Sequence, residues 1–161
     1  TFDVEIDNSK PTSYKDIIFN RNELEYVQTE VKSLERQYLK EKQKMALNDL
    51  SVFEENIQQI NQKKAIIMKV TNYDLDILKD IADALLNRLK DGLVFFANVK
   101  DDHSLNFICR SSINTNAGFL VKTVSGLALG NGGGSATFAQ GGGKSDAKLD
   151  EILDLVRKEV Q

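Results

Sequence analysis

Gly130-Asn131-Gly132-Gly133-Gly134-Ser135-Ala136-Thr137-Phe138-Ala139-Gln140-Gly141-Gly142-Gly143 carries seven of the ten glycines of this 161-residue chain. Glycine loses more conformational freedom on folding than any other residue, so two clusters in a small domain imply a need for bare backbone. The stretch reads as a glycine-rich loop, 130–143, that a ligand approaches. It is not a nucleotide-hydrolase phosphate loop, because Gly-Gly-Gly-Lys at 141–144 lacks the first glycine at the required spacing. A dinucleotide fingerprint would need a strand before it, and here a helical pattern precedes it.

Outward from that stretch, the pattern alternates between helix and strand. Upstream, Ala117–Leu129 is helical through Leu120, Val124 and Leu127. Downstream, Ser145 is a candidate N-cap for a helix carrying Leu149, Ile152, Leu153, Val156 and Val160 on one side. Lys63–Val70 reads as a buried strand, and Asp74–Lys90 as a helix through Leu78, Ile81, Leu85 and Leu89 that ends before Gly92. Leu93–Val99 and Ser104–Ile113 form a candidate hairpin across Lys100–His103, with Leu105, Phe107 and Cys109 on one face. The first two strands are expected to run parallel through a crossover helix and the third antiparallel. Thr137–Gln140 is a candidate short edge strand.

The amino-terminal part has a different period. Leu24, Val27, Val31, Leu34, Tyr38 and Met45 step by three and four, interrupted at Glu41, and Asn20 with Glu23 suggests a helix start. This predicts a long helix near 20–47. Leu50, Phe53, Ile57 and Ile60 resume the stripe in a new phase, predicting a short helix near 52–62. Residues 1–19 form a lead-in in which Phe2, Val4 and Ile6 alternate before Pro11 breaks the pattern. The expected class is α+β, α/β-like: a helical arm over 1–62, then a small mixed sheet of three to four strands covered by helices over 63–161. So narrow a stripe needs a partner, either the chain's own globular part or a second copy.

Composition narrows the function. No stretch approaches the ~20 apolar residues of a membrane span, and no signal region is present, so a cytoplasmic protein with no membrane partner is expected. The start at Thr1 suggests a piece of something larger. One cysteine, Cys109, and one histidine, His103, are too few for a zinc site. Cys109 is expected in the core and His103 on a surface turn. Asp101-Asp102-His103 with no second histidine cannot supply the metal ligands of a phosphoesterase. The net charge is −3, yet residues 1–62 sum to −4 and 63–161 to +1. Phosphate binding must therefore come from a local patch in the second part.

From Gly132 to Gly142 the sequence resembles the motif closing the carboxy-terminal domain of alanyl-tRNA synthetases. The DHH-associated domains of phosphoesterases share its Gly-Gly-Gly half. Ala139-Gln140-Gly141-Gly142 and Lys148-Leu149-Asp150-Glu151 are similar to the synthetase branch, as is the order of elements from about residue 20. Where many members have Arg or Lys followed by Pro, this chain has Ser135-Ala136, and Lys144 is a candidate substitute. The resemblance implies a non-catalytic domain that contacts the outer corner of tRNA and assists aminoacylation and editing carried out by other domains. It further implies dimerisation through the helical arm. No cofactor is implied for these residues; ATP, Mg and Zn are implied for the parent enzyme. The candidate contacts are Gly132, Gly133, Gly134, Ser135, Gln140, Gly141, Gly142, Lys144, Lys148, Arg110 and Lys122, with the positive end of the last helix aimed at the same place. Phe138 would either stack on a base or belong to the core, and the lysines and arginine form a site only if they converge. The alternative is the substrate-binding half of a DHH-type phosphoesterase acting on oligonucleotides or nucleotide messengers.

Overall fold

The computed structural model describes residues 13–48 and 50–160. Element order is α1 (Tyr14–Asn48), α2 (Ser51–Glu54), β1 (Ile57–Ile60), β2 (Lys63–Thr71), α3 (Leu75–Leu89), β3 (Gly92–Val99), β4 (Leu105–Ser111), α4 (Ala117–Leu127), β5 (Asn131–Gly134), β6 (Phe138–Gly143) and α5 (Leu149–Glu159). The chain divides into two compact units, Thr1–Glu41 and Lys42–Gln161. The alternation at Phe2, Val4 and Ile6 lies outside the described residues.

The first unit is helical where described. Leu24, Val27, Val31, Leu34 and Tyr38 are all exposed along α1, and Arg21 Nε donates to Glu25 Oε1 one turn on at 3.1 Å. The helix starts six residues before Asn20, so part of the expected lead-in belongs to it.

The second unit is a mixed α/β fold around one six-stranded sheet in the order β1-β2-β3-β4-β6-β5. β2 and β3 are parallel, joined through α3, and every other neighbouring pair is antiparallel. The α+β class is as expected, with two more strands than the larger of the two counts expected. One of them corrects the predicted helix near 52–62: a single helical turn, α2, is followed by β1, which pairs with β2 from Ile57↔Ile66 to Ile60↔Lys63. The connection is Asn61-Gln62, both at positive φ (48° and 66°), the backbone that a two-residue hairpin turn demands. Ile57 and Ile60 keep helical spacing with Phe53 and so hide the strand.

Period-two alternation sorts the strand residues onto two layers. Ala65, Ile67, Leu93, Phe95, Phe107, Cys109 and Ala139 face α4 and α5, where Leu120, Val121, Val124, Ile152 and Val156 cover them. Ile66, Val70, Val94, Phe96 and Ile108 face α3, with Leu78, Ile81 and Leu85. Phe53 closes this second layer, edge-on to Phe96 at 5.7 Å. Asp74 caps α3 by accepting from Asp76 N at 3.0 Å.

Candidate nucleic-acid interface

The glycine stretch is a β-hairpin, not a loop. β6 is hydrogen-bonded between β4 and β5, so its amides belong to paired strands. At the ends, Ser135 N donates to Phe138 O at 2.8 Å, Gly130 N to Ser125 O at 2.8 Å and Lys144 N to Ala128 O at 2.7 Å. Thr137–Gln140, expected at an edge, falls on the turn and the interior strand β6; β5 takes the edge. The bare backbone answers to α4. A Cβ at Gly132 would stand 2.6 Å from Ser125 Oγ, and one at Gly141 would stand 2.8 Å from Val121 Cγ1. Both are closer than van der Waals contact permits, so α4 lies nearer these strands than side chains would allow.

The start of α4 is held by the same motif. Ala117 N donates to Ala136 O at 2.9 Å and Gly118 N to Ser135 O at 2.8 Å. Asn116 Oδ1 accepts from Phe119 N at 3.0 Å. Ser135 Oγ in turn accepts from Phe138 N at 3.0 Å, so Ser135-Ala136 shapes the turn with its hydroxyl and carbonyls, supplying no basic contact.

The residues expected to touch a ligand fall into four places. Gln140 and Gly142 lie on the α3 side, in an open groove of about 600 Å³ lined also by Asp74, Asp76, Lys79, Lys100 and Asn106. Its cations are committed: Lys79 Nζ lies 3.2 Å from Asp76 Oδ1 and Lys100 Nζ donates to Tyr73 O at 2.7 Å. With two carboxylates in its wall, this groove offers a polyanion little. Arg110 lies on the same side of β4, but its guanidinium is ion-paired with Asp83, donating to Oδ2 at 2.7 Å. It also stands 4.0 Å over the Phe138 ring, which settles Phe138 as a half-buried core aromatic.

The third place is the α5 end. The expected N-cap there is corrected. Ser145 Oγ accepts from Ala147 N at 3.2 Å, α5 starts only at Leu149, and Lys148 at the cap position makes no side-chain capping bond. Asp150 and Glu151 occupy the first turn, so the positive helix end already faces carboxylates. Lys148 pairs weakly with Glu151 at 3.9 Å.

What remains is the outer surface of α4 with the hairpin turn. Lys122 and Lys144 are exposed, and among the described residues no carboxylate pairs with either. From His103 to Ser145 the chain contains no Asp or Glu at all, 43 residues in a protein that has 24 acids. This run covers β4, α4, β5 and β6. It is visible in the sequence as a gap in the charge pattern, a signal that summing charge over whole domains averages away. The buried side of α4 is set by Ala117, Leu120, Val121, Val124 and Ser125. That leaves Phe119 at 66% exposure, a residue that its apolar neighbours conceal in the sequence.

No nucleophile or metal cluster competes for this role among the described residues. Cys109 is buried, and desolvation pushes its thiol up to about 12. His103 sits on the β3–β4 turn at φ 61°, with Nδ1 3.1 Å from Asp146 Oδ2. Among the described residues, no three His, Cys, Asp or Glu are grouped to hold a metal, so they do not fit a zinc site. No described helix is long and apolar enough to cross a membrane.

The sequence pattern of the DHHA1 domain family matches residues 62–161. The alanine–tRNA ligase of Fervidobacterium nodosum is 33% identical over 138 residues, which cover 82% of this chain and 16% of that enzyme. The alanine–tRNA ligase of Dehalococcoides mccartyi strain 195 is 31% identical over 142 residues, covering 85% and 15%. The chain thus spans under a fifth of the length of these relatives. Among solved structures, the C-Ala domain from Aquifex aeolicus alanyl-tRNA synthetase superimposes with a TM-score of 0.59 at 29% identity, covering 65% of this chain and 96% of that domain.

Proposed function

This chain belongs to the DHHA1 domain family, and from that premise we propose that it is the tRNA-binding carboxy-terminal part of an alanyl-tRNA synthetase. In this reading it meets the tRNA elbow while other domains of a cytoplasmic parent ligase carry out aminoacylation and editing. The ATP, Mg and Zn of that chemistry are assigned to those other domains. The observation that carries the reading is that α4 and the glycine hairpin themselves contain no Asp or Glu, on a fold similar to a C-Ala domain. A polyanion is repelled by the chain as a whole and accepted where carboxylates are missing. Lys122 on the outer face of α4 and Lys144 just past the end of β6 are the phosphate contacts.

Filter binding of the chain to tRNA(Ala) and to an acceptor minihelix lacking the elbow tests this directly. Tighter binding to the intact tRNA is expected; equal affinity would remove the elbow from the reading. Lys122→Glu with Lys144→Glu should weaken tRNA binding at least tenfold and lower the salt slope by about 0.7–0.9 for each phosphate no longer neutralised. An unaffected double variant would remove both lysines from the interface.

The parent is proposed to dimerise through α1. What supports this is the exposed heptad stripe Leu24, Val27, Val31, Leu34 and Tyr38, which a second copy would cover. Sedimentation of Val31→Glu with Leu34→Glu should show a monomer where the unaltered chain is a dimer. A monomeric unaltered chain at high concentration would end the dimer reading.

A further inference from the structure

Phe119 is an exposed aromatic in the first turn of α4, and the helix gives it no apolar company. The other outward positions on that helix are Lys122, half-buried Thr123 and Gly126, and the N-cap before it is Asn116. Thr123 Oγ1 is turned back to Phe119 O at 3.0 Å. At Gly126 an added Cβ would touch nothing within 4 Å, so beyond Lys122 the surface falls away to backbone. Leu129, the next exposed apolar residue, is ten positions along, roughly 15 Å by helical rise. Along the outward face of α4 the apolar surface is thus one ring wide.

That size argues against a protein partner, whose interface core needs several hundred Å² of contiguous apolar surface. It matches a nucleobase. An aromatic ring offers any base a face to stack on, and a lysine one turn away offers its phosphate a counter-charge. Acids absent from 103–145 leave nothing on this helix to repel the sugar-phosphate chain. The backbone that orients the ring is the signature hairpin itself, since Ser135 O and Ala136 O hold the amides of Gly118 and Ala117.

Resting on the tRNA-binding role, we propose that Phe119 is a stacking platform for a nucleobase of the bound tRNA that lacks a stacking neighbour on one face, with Lys122 on the adjoining phosphate. The glycine hairpin is then the device that positions α4, and the contact itself is made from the helix.

The test is filter binding of tRNA(Ala) transcript to the full chain across a salt series, with Phe119→Ala, Phe119→Leu, Phe119→Trp and Lys122→Gln. Loss of one stacked base weakens binding by roughly 5- to 150-fold. Phe119→Ala and Phe119→Leu should both fall in that range with the salt slope unchanged. Phe119→Trp should stay within about threefold of the unaltered chain, and Lys122→Gln should lower the slope by about 0.7–0.9. The ring is solvent-facing, so melting temperatures should hold across the set. Phe119→Ala binding within twofold of the unaltered chain would overturn the platform and leave the tRNA-binding role standing. So would Phe119→Leu binding as well as Phe, or a change in self-association with RNA affinity intact. Absence of tRNA binding by the unaltered chain would bring down both.

Discussion

The hairpins β3–β4 and β5–β6 share one sheet and one topology but are held in place by different means. In the first, every residue of Gly92–Val99 is buried, and Phe95 stacks on Phe107 with ring centroids 5.9 Å apart. In the second, six of ten strand positions are glycine. Side chains fill the space around the first, while around the second there are few to do so, and α4 comes down onto the backbone instead. One hairpin is core. The other is a support whose value lies in how closely a helix can approach it, and in the helix surface thereby presented. The difference teaches that a glycine cluster need not mark a ligand's approach; here another part of the same chain is what approaches.

The comparison breaks most visibly on the side-chain-rich hairpin. Phe95→Ala removes a fully buried ring from the layer under α4 and α5, and should cost ~3–5 kcal/mol in chemical denaturation. A cost below about 1 kcal/mol would mean the layer is not packed as described.

On the glycine hairpin the sign is reversed, because adding atoms does the damage. Gly141→Val should cost ~1–3 kcal/mol by driving α4 away from the sheet, and with α4 displaced tRNA affinity should fall as well. Gly133 is the internal control. A Cβ there meets nothing within 4 Å, so Gly133→Ala should leave stability unchanged or raise it by up to about 1 kcal/mol. Equal penalties at 141 and 133 would show that backbone conformation, not the approach of α4, requires the glycines.

This contrast also explains what could be read in the sequence. β2, α3, β3, β4, α4 and α5 carry apolar side chains at a clear period, and their existence and order are legible from it. Three of the four β5 residues and half of β6 are glycine, with no side chains to be periodic, so bare backbone in strands looks like bare backbone in a loop. β1 is hidden for the opposite reason: Phe53, Ile57 and Ile60 imitate a helical stripe, and the turn at Asn61-Gln62 lacks the glycine that usually announces it. In the site, Arg110 looks available in sequence because its partner, Asp83, is 27 residues away on α3. Lys122 is legible as a charge. Phe119 is not, since next to Leu120 and Val121 it passes for one more core residue until the phase of the helix is fixed.

The smallest effect tests a side-chain contact that ties the two hairpins together. His103 lies on the turn of β3–β4, and Asp146 lies three residues past the end of β6. The hydrogen bond from His103 holds the Asp146 carboxyl below the ordinary carboxylate range, with proximity of the imidazole adding to it. A carboxylate whose folded pKa is depressed contributes stability above its unfolded pKa and loses it as pH falls through the folded value. The tie is therefore present at neutral pH and released only in acid. Both side chains are reachable by water, so its contribution to folding is small, and the readout is the titration itself. In carboxyl-detected NMR, His103→Ala should move the Asp146 midpoint upward, while Asp102, held low chiefly by Ser104 and only last by His103, should move less. A midpoint for Asp146 that ignores the loss of the imidazole would mean the turn and the strand exit are placed independently, each by its own hairpin.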